Sequence, residues 1–150
     1  MTAVSDLTAH TGYLLRIVSN AVSQEFARKV AGEGVTVAEW VMLRSLYGGK
    51  AVAPSALARK MGMTRGAISK LADRLLGKGL IERTGNPDDK RGQSLSVSAV
   101  GAKKVPVLAR LADENDASFL AALSNDEQER LRALLYALID KHGLSAMPLD

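Results

Sequence analysis

Cysteine is absent from this 150-residue chain. Disulfide bonds, thiolate metal sites and cysteine-based redox sensing are therefore excluded together. The chain also lacks an apolar run of about 18 residues, the length that spans a bilayer, so we expect no membrane segment. Its first residues lack the basic and then apolar blocks of a signal peptide. We therefore expect a cytoplasmic protein.

Motifs of the common enzyme classes are missing as well. The sequence contains no Gly-rich phosphate loop, no HExxH and no Ser elbow. Its two histidines, His10 and His142, lie in different predicted helices, and neither has an acid at metal-ligand spacing. The adjacent acids Asp88 and Asp89 lie in a basic loop, which suits an ion pair better than acid–base catalysis. We expect no enzymatic activity, no metal and no cofactor.

Positive charge is concentrated in one segment. The net charge is +4. Residues 59–91 contain nine basic and four acidic side chains, whereas the rest of the chain has eleven and twelve. A local basic field attracts phosphate backbones through counterion release. Basic patches are also common as plain solvated surface, so charge alone leaves both interpretations open.

Apolar periodicity predicts a mainly α-helical chain with one short hairpin. Capping residues, a proline or the onset of the apolar pattern suggest where each helix starts. The predicted starts are Asp6, Thr36, Pro54, Thr64, Ser98 and Ser124. Thr36 with Glu39, and Ser124 with Glu127, have the spacing of a capping box. We expect the fifth helix to be broken or bent near Pro106, because proline removes a helical hydrogen bond.

The middle of the chain has the pattern of a winged helix. The third and fourth helices are joined by a short turn at Gly62, as in a helix-turn-helix. One face of the fourth helix is apolar and is expected to face the core, through Ile68, Leu71, Ala72 and Leu75. Two short strands, 80–83 and 94–97, follow it. The loop between them carries Lys90 and Arg91, so the hairpin has a charged tip.

The order of these elements and their residues resemble the MarR family of winged helix-turn-helix transcriptional regulators. The resemblance is carried by Leu57-Ala58, by residues 64–75, by residues 78–83 and by residues 86–91. It implies a single domain over residues 1–150. Within it, residues 35–98 are expected to form a winged helix-turn-helix lobe. Residues 5–31 and 99–143 are expected to form a helical dimerisation lobe.

The resemblance implies a sequence-specific regulator, with repression as the expected direction, that binds a pseudo-palindromic operator as a homodimer. The residues expected to contact double-stranded DNA are Thr64, Arg65, Gly66, Ser69, Lys70, Arg74, Lys90 and Arg91. Arginine and lysine can bond to guanine, and serine can bond to base or phosphate. Arg91 is expected to enter a minor groove and Lys90 to meet phosphate. Asp89 is expected to brace Arg91 by an ion pair.

Each assignment has an alternative. The outer face of the fourth helix can be a solvated surface without a partner. Gly66 can be a glycine that the helix merely tolerates. The charged hairpin can likewise have no partner. Arg74 can contact phosphate or pair with Asp73 or Glu82. The terminal helices can fold back on their own chain instead of forming a dimer. A winged helix can also be a protein-interaction module that does not bind DNA directly.

The resemblance finally implies that a small molecule binds between the two lobes and releases the DNA. The candidates for such a pocket, where the first two helices meet the fifth, are Tyr13, Arg16, Trp40 and Arg44. The two arginines suit a small aromatic or anionic effector. The alternative is that Trp40 and Tyr13 are core residues, since aromatic residues at helical spacing usually pack.

Overall fold

The fold of the chain is seen in a computed structural model, which describes residues 3–85 and 92–144. The described part is mainly helical with one antiparallel hairpin, as the sequence predicts. After a short 3-10 turn, Leu7–Ala9, the elements are α1 (Thr11–Ala31), α2 (Val37–Leu46), α3 (Pro54–Met61), α4 (Arg65–Gly77), β1 (Ile81–Thr84), β2 (Ser94–Val97), α5 (Ala99–Leu120) and α6 (Asn125–Lys141).

The predicted capping residues form the expected hydrogen bonds. The Thr36 hydroxyl accepts from the Glu39 amide at 3.1 Å, and the Glu39 carboxylate accepts from the Thr36 amide at 2.7 Å. The second capping box, at Ser124, starts α6 in the same way. Thr64 accepts from the amide of Ala67 at 3.1 Å and so starts α4. These bonds satisfy amides that the helices leave unpaired.

Of the expected break or bend near Pro106, the break is wrong, because α5 continues through this residue as one helix. The bend stays a prediction. Pro106 is exposed, while Val105 and Leu108 beside it are buried in the core. Packing of these two side chains holds the helix together on both sides of the proline. Tertiary contact therefore overrides the local preference of proline.

One apolar core lies between α2, α3, α4, the hairpin and the first half of α5. Its largest fully buried apolar side chains are Met42, Leu43, Leu46, Leu57, Ile68, Leu75, Leu95 and Leu108. In the hairpin, Ile81 is opposite Val97 and Thr84 is opposite Ser94. Leu95 also exchanges two backbone hydrogen bonds of 2.8 Å with Val52, in the segment before α3. This pairing fixes the hairpin against the helix-turn-helix.

Apart from the end of α1, which reaches the core through Val30 and Phe26, the terminal helices lie outside this core. Val30 is the sole buried residue of α1, and no residue of α6 is buried. Large apolar side chains on both helices remain exposed, including Leu14, Val18, Leu134, Tyr136 and Leu138. Within residues 3–85 and 92–144, no helix combines the length and the hydropathy needed to traverse a bilayer.

Candidate nucleic-acid interface

Helix α4 has a buried inner face and an exposed basic outer face. Ile68 and Leu75 are fully buried, whereas Arg65, Ser69 and Lys70 are exposed. The side chains of these three exposed residues form no hydrogen bond or ion pair with any other described residue. The core therefore fixes the helix while the outer side chains stay available for another molecule.

Gly66 lies on this outer face. A Cβ atom added at this position would have no heavy atom within 4 Å. Nothing in the described fold therefore requires glycine here, although glycine costs a helix roughly 1 kcal/mol relative to alanine. Close approach of an external partner stays a prediction for this residue, with simple tolerance of glycine as the alternative.

A small recess with a mixed polar and apolar lining lies beside the start of α4. It has a volume of about 340 Å³ and is lined by Ser55, Ala58, Arg59, Met63 and Arg65. Ser55 and Arg59 share one face of α3 because they are four positions apart. Neither residue is among the sequence-predicted contacts. Arg59 could have been included from its place in the basic segment, but the position of Ser55 depends on the packing of α3 against α4.

Arg74 does not take either of the partners considered from the sequence. Its Nε atom lies 3.7 Å from Glu39 Oε2, and its guanidinium donates to the Thr36 hydroxyl at 3.4 Å. Asp73 instead pairs with Arg83 of β1 at 2.8 Å. The side chain of Arg74 is still 54% exposed, so its guanidinium is accessible from solvent.

Glu39 is a charged residue with no exposure to solvent. Its Oε1 atom accepts from the Lys78 ammonium at 2.9 Å, and the same ammonium donates to the Gly34 carbonyl at 2.8 Å. Burial raises the pKa of Glu39, but hydrogen bonds from Lys78 and Thr36 outweigh it and hold the pKa below its usual value. The group is therefore a carboxylate at neutral pH.

The base of the hairpin is tied to α4 by the pair between Arg83 and Asp73. This ion pair joins the exposed side of α4 to β1. The two predicted contacts at the hairpin tip, Lys90 and Arg91, and the predicted brace, Asp89, lie outside the described residues.

The four effector candidates occupy α1 and α2. Tyr13 and Arg16 are exposed on α1. Trp40 is partly buried against the core, and its ring meets Phe26 edge-on with 6.4 Å between the centroids. The Arg44 guanidinium lies 5.8 Å from the ring centroid of Tyr47. Their assignment to an effector stays a prediction.

A larger cavity of about 670 Å³ lies elsewhere, between α1, α5 and α6. Val18, Phe119, Gln128, Arg132 and Tyr136 are among its lining residues, and none of the four effector candidates is. Its apolar walls continue the exposed faces of the terminal helices.

The sequence of this chain is similar to those of a known protein family. A sequence profile of the MarR family matches residues 33–92. A relative from Thauera aromatica, whose name assigns it to transcriptional regulation of the hcr operon, is 32% identical over 88% of this chain and 80% of its own length. The chain belongs to the MarR family of transcriptional regulators.

Solved structures of MarR-type proteins agree with the fold. A probable transcriptional regulator from Pseudomonas aeruginosa is 34% identical, with a TM-score of 0.78 over 89% of this chain and 100% of that one. A variant of MarR from Escherichia coli, crystallised with operator DNA, is 26% identical. Its TM-score is 0.75 over 85% of this chain and 92% of that one. The winged helix-turn-helix is thus the fold that this MarR member shares with a DNA-bound relative.

Proposed function

We propose that this MarR-family chain binds double-stranded DNA sequence-specifically and represses transcription. The observation that carries the proposal is the outer face of α4, where Arg65, Ser69 and Lys70 are exposed and unpartnered while the inner face is buried. A rigid helix of this kind can enter a major groove, where arginine and lysine donate to guanine. Thr64 and Gly66 lie at the end of α4 that approaches the duplex first.

Backbone phosphates have their own contacts in this proposal. The recess formed by Ser55, Arg59 and Arg65 combines a hydroxyl with two guanidinium groups, which suits a phosphodiester oxygen. Arg74 is a further phosphate contact, since its guanidinium is accessible. At the hairpin tip, Arg91 reads a minor groove and Lys90 meets phosphate, with Asp89 bracing Arg91.

The chain acts as a homodimer in this proposal. Residues 35–98 form the lobe that binds DNA, and residues 5–31 and 99–143 form the lobe that joins two copies. A two-fold pair of α4 helices then addresses a pseudo-palindromic operator with half-sites ~10 bp apart. A regulator of this kind has no catalytic role, and its work is done by binding alone.

A small aromatic or anionic molecule is the proposed effector. Its proposed site is the region where α1 and α2 meet α5, and its proposed contacts are the guanidinium groups of Arg16 and Arg44 and the aromatic rings of Tyr13 and Trp40. A phenolic acid would match both kinds of group. Binding there would change the angle between the two lobes and so the distance between the α4 helices.

DNA binding is tested by selecting duplexes from a random-sequence library with the wild-type protein. We call the duplex enriched most strongly the selected duplex. Its affinity should fall steeply between about 50 and 200 mM salt, because bound phosphates release counterions. Replacing Lys70 by Ala should weaken binding by about 1–3 kcal/mol.

Lys103→Ala is the matched control, since Lys103 is also an exposed helical lysine without a described partner. It makes the same charge change on α5 and should leave the affinity nearly unchanged. If the wild-type protein enriched no duplex, the protein-interaction alternative would replace the proposal. Equal losses for both lysines would show a general charge effect and not recognition by α4.

A further inference from the structure

The turn between α1 and α2 is held by lysines from two other helices. We call residues 32–36 the α1–α2 junction. From the end of α4, the Lys78 ammonium donates to the Gly34 carbonyl at 2.8 Å. From α5, the Lys104 ammonium donates to Glu33 at 2.9 Å. The junction therefore connects the recognition helix α4 with both long helices of the other lobe.

Glu39 of α2 adds a second connection between the start of α2 and α4. Its carboxylate is fully buried and accepts from the Lys78 ammonium at 2.9 Å, while Arg74 of α4 lies 3.7 Å from its other oxygen. That second oxygen, Oε2, has no hydrogen bond. Lys78 is therefore the closer of the two cations to Glu39, and Arg74 remains available to other anions.

The negative charge of Glu39 is not needed to start α2. A capping box requires only a side-chain oxygen that accepts from the Thr36 amide, and glutamine supplies one. A buried carboxylate is costly unless cations compensate it. One compensating cation, Arg74, lies in α4 and the other, Lys78, directly follows it, so the charge contributes to the position of α4 and not to the existence of α2.

We propose that Glu39 is a positioning residue for DNA reading, and that with Lys78 it fixes the orientation of α4 relative to α1 and α5. In a dimer that orientation sets the distance and angle between two recognition helices. The inference rests on the proposed DNA-binding function, because it names the contact that regulates the spacing of that same site. Without the tie, α4 keeps its core packing but samples a wider range of orientations.

The test uses the selected duplex and the same duplex with one base pair inserted at its centre. We define the spacing ratio as the Kd for the inserted duplex divided by the Kd for the selected duplex. Loss of folded protein, or a change in net charge, alters both constants alike and leaves this ratio unchanged. A loosened α4 alters the two constants unequally.

Glu39→Gln should lower the spacing ratio by about three- to tenfold. It should also weaken binding to the selected duplex, although removing an acid makes the protein more positive and electrostatics alone would strengthen binding. Glu82→Gln is the matched control, since Glu82 is an exposed acid of β1 without a described partner. It should keep the wild-type spacing ratio.

Lys78→Met is the second variant and keeps the proposal testable if Glu39→Gln does not fold. It should lower the spacing ratio to a similar extent, and the double variant should show no lower ratio than either single one. A wild-type spacing ratio in either folded single variant would overturn the proposal. Failure of the wild-type protein to enrich any duplex would instead refute DNA binding itself, so the two failures are distinguishable.

Discussion

Gly101 is the glycine with the least room for a side chain among those that the structure describes. A Cβ atom added there would lie 2.1 Å from the carbonyl oxygen of Leu80 and 2.9 Å from a methyl group of Val97. The Gly101 amide donates to the Ser98 hydroxyl at 3.0 Å, and that hydroxyl donates to the Gly79 carbonyl at 2.7 Å. The first turn of α5 is thus pressed against the end of α4 and the start of the hairpin.

Replacing Gly101 by Ala should destabilise the protein by about 1–3 kcal/mol, because the obstacle is backbone and cannot rotate away. Gly66→Ala is the matched control, as Gly66 is also helical but has open space around it. It should stabilise the chain by roughly 1 kcal/mol through helix propensity. Urea denaturation followed by circular dichroism measures both free energies of unfolding. Equal stability of the two variants would contradict this account of the α5 contact.

The hydrogen-bond and ion-pair partners of polar side chains could be predicted from the sequence in some cases and not in others. The caps at Thr36, Thr64 and Ser124 were predictable, because donor and acceptor are three residues apart and local geometry decides the bond. The partner of Arg74 was not, because Glu39 lies 35 positions earlier in the chain. Two nearby acids, Asp73 and Glu82, were the natural candidates. A third acid brought close by packing took their place.

Among the helices, α5 shows how packing modifies local rules. Its start at Ser98 was predicted from the sequence, but its continuity through Pro106 was not. Proline lacks the amide that would donate to the Ala102 carbonyl, four residues earlier. Burial of Val105 and Leu108 compensates for the missing bond. Pro106 therefore lowers the stability of the folded chain, and a single substitution of this residue can measure by how much.

Pro106→Ala should raise the free energy of unfolding by about 1–3 kcal/mol, since it restores the amide donor at an exposed position and creates no cavity. Thermal denaturation and urea titration check the gain. Pro54→Ala is the control, because Pro54 is the first residue of α3, where the amide has no helical partner. That change should be neutral or slightly destabilising. A loss of stability in Pro106→Ala would mean that α5 needs the proline.

For the chain as a whole, the distribution of burial is uneven. The winged helix-turn-helix surrounds a closed core, whereas α6 has no buried residue. On α6, Leu134 and Leu138 are four positions apart and so share one face, and the single chain leaves this apolar stripe in solvent. Leu134 is 59% exposed and Leu138 is 47% exposed. Contiguous apolar surface of this kind marks an interface, and the exposed side of α1 continues it. A second copy of the chain is the partner that the proposed function supplies.

The double variant Leu134→Glu with Leu138→Glu should therefore be monomeric at micromolar concentration, because each carboxylate would be desolvated in the interface. Sedimentation velocity measures the mass, and circular dichroism checks that the chain is folded. Val100→Glu is the control, since Val100 is 62% exposed at the start of α5, away from α6, and it should remain a dimer. The monomer should lose affinity for the selected duplex, because one α4 reads only one half-site, while its weak binding to unrelated DNA persists. If the double variant had the wild-type mass, the dimer contact would lie elsewhere. If the wild-type protein were itself a monomer, the two-fold geometry on which operator spacing depends would be refuted.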